Sequence, residues 1–412
     1  MVKKVLRVAF AFVGVIVGAG FATGQEVMQY FVAFGAAGIW GAVLSAVIMS
    51  LLAMIILQLG SYFRADEHGE VFRRVSRPVF YWVLDVGVVI TLFATGFVMF
   101  AGAGANMNQQ WGTELWVGAV IMVALTIAAG FLDVERVTTL IGALTPFIVG
   151  FIVLASVYTL AFTDPVALES HQSVSTTLPH WSVAAVNYVG FNLMVAVSMA
   201  IVIGGNLFNP RVAGVGGFFG GLIYSALLLI STIPLFYTVG SVADDAVPML
   251  TVINRLHPWL GQAMAVAIFG MIFNTALGMF YALARRLSAG HPERFHLVYI
   301  GTVLVGFLLS FLGFQNLIGW VYPVLGYIGL LLIAVRVVAW LRGRGRITAE
   351  ADRRGRIVEA VAAGDTTTAR HEIANSNLSV AQVREAIEVT PESSTDNPES
   401  APDTGVNPTG RN

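Results

Sequence analysis

Long apolar segments separated by short polar stretches dominate this sequence of 412 residues. The segments reach about 20 residues, which is the length that an α-helix needs to cross the hydrocarbon core of a bilayer. Hydrophobic residues make up 57% of the chain and charged residues only 11%, whereas a soluble domain carries about 25% charged residues. The sequence therefore predicts an all-α, polytopic membrane protein.

We expect about ten membrane-spanning helices, and the distribution of lysine and arginine supports this number. The loops on one side hold almost all of these basic residues, and those on the other side hold only Arg255. The positive-inside rule then places both termini in the cytoplasm of a protein of the cell membrane. The predicted spans are 5–34, 38–61, 79–104, 113–131, 138–162, 182–204, 213–238, 259–283, 295–313 and 317–341.

The first span, in which Val13–Tyr30 reads VGVIVGAGFATGQEVMQY, is irregular. Each glycine lowers helix stability by about 1 kcal/mol relative to alanine, and Glu26 is costly in hydrocarbon. These features predict a helix that is broken near the bilayer midplane, with halves at roughly 5–17 and 24–34. Broken backbone at that depth lines a protein cavity, and in transporters such a break holds substrate and ions.

Two interpretations of Glu26 remain open at this level. The order Thr23-Gly24-Gln25-Glu26 fits a capping box, in which Thr23 is the N-cap and Glu26 lies three positions later. Alternatively, Glu26 binds a proton or the substrate, since an acid inside a membrane is functional by default. The glycines could also serve close helix packing through Gly14 and Gly18.

Five spans in each half imply that the halves run with opposite topology, so we predict a 5+5 inverted repeat. Span six should then be broken like span one, and Gly190, Phe191 and Asn192 are the best candidates for that break. The alternative is that asparagines in this span form hydrogen bonds to other helices, which are worth about 1 kcal/mol each.

Polar residues in two other spans invite a functional interpretation. Asn274 and Thr275 in span eight carry hard oxygen ligands suited to Na⁺, although the Thr275 hydroxyl could instead bond back to the preceding turn. In span three, Asp85 is expected to pair with Arg77 or Arg136 at the inner surface.

Outside the spans, segment 247–256 is expected to form a short outer helix that is either a lid or a connector. We divide the chain into a transmembrane domain at 1–343, a tail with short helices at 344–390 and a disordered end at 391–412. The tail helices are predicted at 348–363 and 379–388. The chain contains no cysteine and no motif typical of an enzyme, a cofactor site or a nucleic-acid-binding protein.

The motif GAGFATGQE at Gly18–Glu26 resembles that of the YkvI-type membrane proteins, which are similar to the amino acid–polyamine–organocation superfamily with its LeuT-type fold. The resemblance covers residues 5 to about 341. It implies that the carbonyls of Gly14 and Val17 face a cation shared with Thr275, and that Phe191 lies beside the substrate. The chain departs from the sodium symporters by having Gln25 and Glu26 where a basic gate region would begin.

These features together predict a secondary active transporter, coupled to Na⁺ or H⁺, for an amino acid or a similar small organic solute. The positive end of the half-helix after Thr23 is expected to attract an anionic group. The alternative is a ligand-sensing receptor subunit with a transporter-like fold, whose tail contacts an unknown partner. The candidate substrate-binding residues are Gly18, Gly20, Thr23, Glu26, Gly190, Phe191 and Asn192, and the candidate ion-binding residues are Gly14, Val17, Asn274 and Thr275.

Overall fold

The computed structural model describes residues 2–65, 78–132, 144–163, 174–378, 380 and 382–383, and these residues contain helices and no strand. Most of the predicted tail helix at 379–388 and all of residues 164–173 lie outside the described residues. Among the described residues, two short 3-10 helices, Val32–Phe34 and Pro292–Arg294, accompany the α-helices. The α-helices are α1 (Val2–Ile16), α2 (Ala19–Thr23), α3 (Gln25–Tyr30), α4 (Ala36–Phe63), α5 (Pro78–Trp111), α6 (Leu115–Ala129), α7 (Thr145–Phe162), α8 (Trp181–Gly205), α9 (Pro210–Val242), α10 (Pro248–Leu256), α11 (Pro258–Leu287), α12 (Phe295–Ser310), α13 (Phe314–Ala362) and α14 (Thr366–Ala374).

Eight of these helices are long and apolar enough to cross a membrane. The apolar helix α6 is shorter, with 15 residues, and the first predicted span is divided among α1, α2 and α3. Each of the ten predicted spans therefore contains helix, and the prediction of an all-α, multi-pass membrane protein is confirmed.

The spans pack in two groups. In the first group, α1 and α4 each pack against both α8 and α9; in the second, α5 and α11 pack against each other and against both α6 and α12. If spans one to five are matched in order to spans six to ten, each contact should have a counterpart. The contact between spans one and seven (α1 with α9) then corresponds to the contact between spans six and two (α8 with α4). This correspondence is what the predicted 5+5 repeat requires, and the repeat itself stays a prediction.

Span six is not broken, so the prediction of an interruption at Gly190, Phe191 and Asn192 was wrong. Helix α8 runs without interruption from Trp181 to Gly205. The physical reason lies in α13: a Cβ atom on Gly190 would overlap with the carbonyl oxygen of Gly326. The glycine therefore allows two helices to approach closely instead of ending one of them.

Two prolines lie inside helices, and each lacks the N–H that would bond to the carbonyl four residues earlier. Pro234 leaves the Ile230 carbonyl in α9 without this partner, and the Ser156 hydroxyl donates to it at 2.8 Å. Pro323 likewise leaves the Gly319 carbonyl in α13, and the Thr177 hydroxyl donates to it at 2.5 Å. Hydroxyl groups from other segments thus satisfy the backbone where water is scarce.

Asp85 forms an ion pair with Arg286, which connects α5 to α11. The sequence led us to expect Arg77 or Arg136, which both lie outside the described residues. Arg286 is 201 positions further along the chain, so only the packing of α5 against α11 reveals it as a partner.

The contacts divide the chain into two compact units, Met1–Ile347 and Thr348–Asn412. In the second unit, Glu350 is 3% exposed and accepts hydrogen bonds from Arg353 and Arg354 at 2.9 Å and from Ser376 at 2.5 Å. Arg354 is fully buried. Burial alone raises the pKa of Glu350, but the hydrogen bonds from Ser376, Arg354 and Arg353 outweigh it and hold the pKa below its ordinary value.

The close approach of α8 to α13 predicts that Gly190→Ala lowers the thermal midpoint of the purified protein, because overpacking costs about 1–3 kcal/mol. The matched control is Gly301→Ala in α12, where an added Cβ would meet open space, and its midpoint should stay the same or rise. Equal midpoints for the two variants would contradict the tight packing.

The Glu350 cluster predicts a pH dependence of the second unit. Its folded pKa is lowered, so the stabilisation is complete above the unfolded pKa of about 4.3 and is lost as the pH falls through the folded value. Hydrogen exchange of residues 348–378 in the full chain, corrected for intrinsic rates, should show this loss.

In the same measurement at neutral pH, Glu350→Gln should lower the free energy of local opening by about 3 kcal/mol, because it breaks the buried ion pair between Glu350 and Arg354. Glu359→Gln, which changes an exposed carboxyl of the same helix, serves as the control. The cluster has no such role if both variants exchange alike.

Candidate functional site

The predicted break of the first span is confirmed, and it consists of two interruptions. Helix α1 ends at Ile16, and Gly18 has an extended backbone with φ −100° and ψ −178°. Helix α2 follows for five residues, and Gly24 then separates it from α3. The chain thus leaves helical geometry at Val17–Gly18 and again at Gly24.

Gly24 is required at the second interruption for two reasons. Its backbone lies in the left-handed region, with φ 81° and ψ −7°, which residues with a side chain rarely adopt. In addition, a Cβ atom there would lie only 3.2 Å from Leu235 Cδ1 and 3.3 Å from the Met249 backbone nitrogen. The residue therefore allows both the turn and the close approach of α9 and α10.

The predicted capping box forms only in part. The Thr23 hydroxyl accepts a hydrogen bond from the Gln25 N–H at 3.3 Å and donates one to the Gly20 carbonyl at 2.7 Å. The N-cap of α3 is Gly24 instead of Thr23, so Glu26 occupies the second position of the helix. Among the hydrogen bonds of the described residues, none joins the Glu26 carboxylate to the Thr23 N–H.

The Glu26 carboxylate lies against the backbone of Gly20. The side chain is only 5% exposed, and a Cβ atom on Gly20 would overlap with Glu26 Oε1. The Glu26 side chain at the start of α3 thus reaches across the turn at Gly24 to α2. No lysine, arginine or histidine within the described part of the chain forms an ion pair with Glu26.

Four buried tyrosines lie at the end of α3 and on other helices, and ring contacts join Tyr224 to Phe21 of α2 and Tyr188 to Tyr30. Tyr30 ends α3, Tyr188 lies in α8, Tyr224 in α9 and Tyr322 in α13. Each is at most 1% exposed. Helices from distant parts of the sequence therefore meet at the break.

Amide side chains from α8 organise these tyrosines. Tyr30 donates to Asn187 Oδ1 at 3.1 Å, and Tyr224 donates to Asn192 Oδ1 at 3.2 Å. The hydroxyl oxygens of Tyr188 and Tyr224 are 2.6 Å apart. The Asn192 amide donates to the Tyr188 carbonyl at 3.0 Å, one turn earlier in α8.

Asn192 thereby bonds within its own unbroken helix, and Phe191 stacks on Tyr322 with ring centroids 4.0 Å apart. Asn187 Nδ2 donates to the Pro323 carbonyl at 2.8 Å. The geometry therefore favours the interpretation in which the asparagines form hydrogen bonds to other residues and helices.

The candidate ion ligands lie on α1, on α11 and in the first interruption. Gly14 is exposed, Val17 is buried, and α11 packs against α2, the helix that directly follows Gly18. The Thr275 hydroxyl donates to the Met271 carbonyl at 3.0 Å, which is the bond to the preceding turn that was given as the alternative to ion binding. Asn274 Oδ1 is buried and accepts no hydrogen bond from the described residues.

Helix α10 covers the break, where it packs against both α2 and α3. The Gln109 side chain donates to the Val247 carbonyl and accepts from the Val247 N–H, both at 2.9 Å, and also donates to Thr251 at 2.9 Å. Asn254 donates to Gln110 at 2.8 Å. The predicted short helix is thus present, and side chains from the end of α5 hold it in place.

The four tyrosines and Gln109 were not predicted from the sequence. Tyr30 could have been found, because it follows Glu26 by four residues and therefore shares its helical face. Tyr188 and Tyr224 carry no comparable signal, since aromatic residues in apolar spans are usually core residues. Their role follows only from the packing of α8 and α9 around α3.

The hydrogen bonds of Gln109 to Val247 and Thr251 predict that Gln109→Ala loosens helix α10. The chain has no cysteine, so Met249→Cys adds a single thiol in a completely buried position. Its labelling by a membrane-impermeant maleimide should accelerate severalfold in the Gln109→Ala background. Arg255→Cys, at an exposed position of the same helix, should react equally fast in both backgrounds. If Met249→Cys is labelled at the same rate with and without Gln109→Ala, the role of Gln109 in holding α10 is contradicted.

Comparison with known proteins supports the same architecture. No family model matches the chain. The chain is 24% identical over 330 residues to the uncharacterized membrane protein YkvI of Bacillus subtilis (strain 168), covering 79% of this chain and 93% of YkvI. It is also 24% identical over 324 residues to the uncharacterized protein YyaD of the same strain, covering 78% of this chain and 92% of YyaD.

Three solved structures have a similar fold. They are MhsT in complex with L-phenylalanine (TM-score 0.57, 14% identity, 84% of this chain and 91% of MhsT), inward-facing Mhp1 (TM-score 0.53, 15% identity, 94% and 90%) and the Eremococcus coleocola manganese transporter (TM-score 0.52, 14% identity, 94% and 90%). At these identities the likeness concerns the fold. The chain is thus similar in sequence to YkvI and YyaD, and its fold is similar to the LeuT-type fold of MhsT and Mhp1.

Proposed function

We propose that this protein is a secondary active transporter that carries a small organic solute, such as an amino acid, by alternating access. The observation that carries the proposal is the doubly interrupted first span, which buries an acid among polar side chains from four helices. Non-helical backbone at membrane depth is stable only where protein or a water-filled cavity surrounds it. In secondary transporters such interruptions form the substrate and ion sites.

The two sides of the break differ in their access, as alternating access requires. Residues 19–32 are all buried beneath α10, whereas Gly14 is exposed and Gly18 is half-buried. At 100° per residue, the exposed residues Arg7, Ala11 and Gly14 share one sector of α1 that leads to Gly18, while exposed Leu6 and Phe10 lie beside it. Because this sector of α1 consists of an arginine and small residues, it is better suited to line an aqueous path than to contact lipid.

From this difference in exposure we infer a state that is closed at α10 and open on the side of the N-terminus. With the N-terminus in the cytoplasm, as the positive-inside rule places it, the state is inward-facing. Solute would bind near Gly18, Gly20, Thr23 and Glu26, with Phe191 and Asn192 of α8 on the opposite wall.

Two sites could couple transport to an ion gradient. Na⁺ would bind the carbonyls of Gly14 and Val17 together with Asn274 and Thr275 of α11, where the buried Asn274 Oδ1 lacks a donor among the described residues. Such oxygen atoms are the ligands that hard cations prefer. Alternatively, Glu26 would carry a proton.

The transport proposal is tested by uptake into proteoliposomes that contain the full chain, with imposed Na⁺ or H⁺ gradients. We expect uptake of a small organic solute to rise severalfold with one of the gradients and to stop when an ionophore dissipates it. A broad panel of amino acids and amines without any gradient-dependent uptake would refute the proposal.

The Na⁺ site makes a separate prediction. Binding to the folded state raises stability by mass action, so Na⁺ should raise the thermal midpoint relative to K⁺. Thr275→Ala should abolish this difference, whereas Thr302→Ala, which removes a half-buried hydroxyl from α12, should preserve it. An unchanged difference in Thr275→Ala would remove Thr275 from the site.

A further inference from the structure

A cavity of about 220 Å³ lies between α5, α6 and the turn that joins α12 to α13. Ala246, just before α10, also lines it. None of the described lining residues is charged, and none belongs to α2 or α3. The cavity is therefore an apolar feature that is separate from the proposed solute and ion sites.

Small side chains create this space. Ala101 and Ala105 lie one turn apart on α5, and Ala119 of α6 lines the same cavity. A Cβ atom on Gly104 of α5 or on Gly118 of α6 would overlap with a carbonyl oxygen of the other helix. Because the two helices already touch at these glycines, they cannot move closer and fill the cavity. An empty cavity lowers stability, since its lining loses packing contacts.

The chemistry of the lining favours hydrocarbon over water. A water molecule needs two to four polar partners, whereas an apolar cavity of about 150 Å³ in another protein stays dry and binds benzene. The Ser310 hydroxyl already donates to the Phe307 carbonyl at 2.7 Å. The Gln315 amide donates to the carbonyls of Asp244 and Asp245 at 3.1 Å and 2.8 Å. These polar groups are thus used within the protein.

The rim of the cavity is exposed and apolar. Leu115 begins α6 and Phe311 follows α12, and both line the cavity and are exposed. Trp116, beside Leu115, is exposed as well, and tryptophan is typical of the membrane–water interface. Exposed apolar side chains of a membrane-spanning protein contact lipid. An acyl chain can therefore enter the cavity from the leaflet on this side, which the positive-inside rule makes the outer one.

Gln315 connects the cavity to the cover of the break. Its side chain lines the cavity and holds the carbonyls of Asp244 and Asp245, which lie just before α10. Its own carbonyl accepts a hydrogen bond from Gln29 Nε2 of α3 at 3.2 Å. A chain that fills the cavity packs against the turn that carries Gln315, and it thereby stabilises these contacts to α3 and to the segment before α10.

We propose that an acyl chain of an outer-leaflet phospholipid occupies this cavity and stabilises the conformation in which α10 covers the break. Two acids adjoin lining residues, Glu114 before Leu115 and Asp245 before Ala246. Their charge favours a lipid with a net-neutral head group over an anionic one. Such a lipid acts on the conformation of the protein and is not the solute that is carried.

Occupancy is tested by photo-crosslinking of the full chain in proteoliposomes with a phosphatidylethanolamine that carries a diazirine within one acyl chain. We expect labelling of Ala101 and Ala105, which are only 8% and 4% exposed, because a chain inside the cavity reaches them. Ala119→Phe should reduce this labelling severalfold, since the added ring fills the cavity, and Ala119→Leu should reduce it less. Labelling of α7, which has many exposed apolar side chains, should stay constant and serves as the internal reference.

The effect on α10 is tested by labelling Met249→Cys with a polar maleimide in a steroid-based detergent, which has no linear alkyl chain. Dioleoylphosphatidylethanolamine should slow this labelling severalfold, and dioleoylphosphatidylglycerol should act more weakly. The lipid should have no effect in the Ala119→Phe background, where the cavity is filled, or in the Gln315→Ala background, where the connection is lost. Ala124→Phe adds the same ring at an exposed position of α6 and should leave the lipid effect intact.

Four results would overturn the proposal: no labelling of Ala101 or Ala105, no effect of phosphatidylethanolamine on the Met249→Cys rate, a stronger effect of phosphatidylglycerol, or an equal lipid effect in the Ala119→Phe and Ala124→Phe backgrounds. Ala119→Leu takes the place of Ala119→Phe if the larger side chain prevents folding. None of these measurements depends on transport, so a failure of the proposed function would leave the lipid site intact.

Discussion

The contact of the Glu26 carboxylate with Gly20 across the turn at Gly24 is the feature on which the rest of the site depends. A left-handed glycine separates α2 from α3, and the Glu26 carboxylate lies against Gly20. Neither glycine could carry a side chain without displacing a neighbour. The local cost of unwinding is offset because α9 and α10 pack directly against this turn, so the irregular backbone is enclosed by protein.

The same requirement, that every backbone polar group in a membrane has a partner, explains features far from the break. Pro234 and Pro323 each free a carbonyl, and a hydroxyl from another segment reaches each of them. Asn187 satisfies the Pro323 carbonyl and holds the Tyr30 hydroxyl at the same time. The polar residues within the spans thus connect helices to one another.

Glycine illustrates why one half of the chain was easier to predict than the other. In span one, glycines occur together with Gln25 and Glu26, and the acid in an apolar segment indicates that the helix cannot be regular. In span six, Gly190 stands beside Asn192 in an equally polar context, yet α8 is continuous. A glycine permits either a break or a close contact, and the distinction depends on Gly326, which lies 136 positions away in the sequence.

Local information was therefore enough to establish the membrane class, the approximate spans and the interruption of the first helix, because length, hydropathy and the cost of a buried acid are properties of contiguous residues. The partners of Asp85, the continuity of α8 and the tyrosines around Glu26 arise from helices that are far apart along the chain. Their identities follow from how those helices pack, which no single segment encodes. The acid at position 26 can be noticed in the sequence, but its lack of a counter-charge among the described residues is visible only once its neighbours are known.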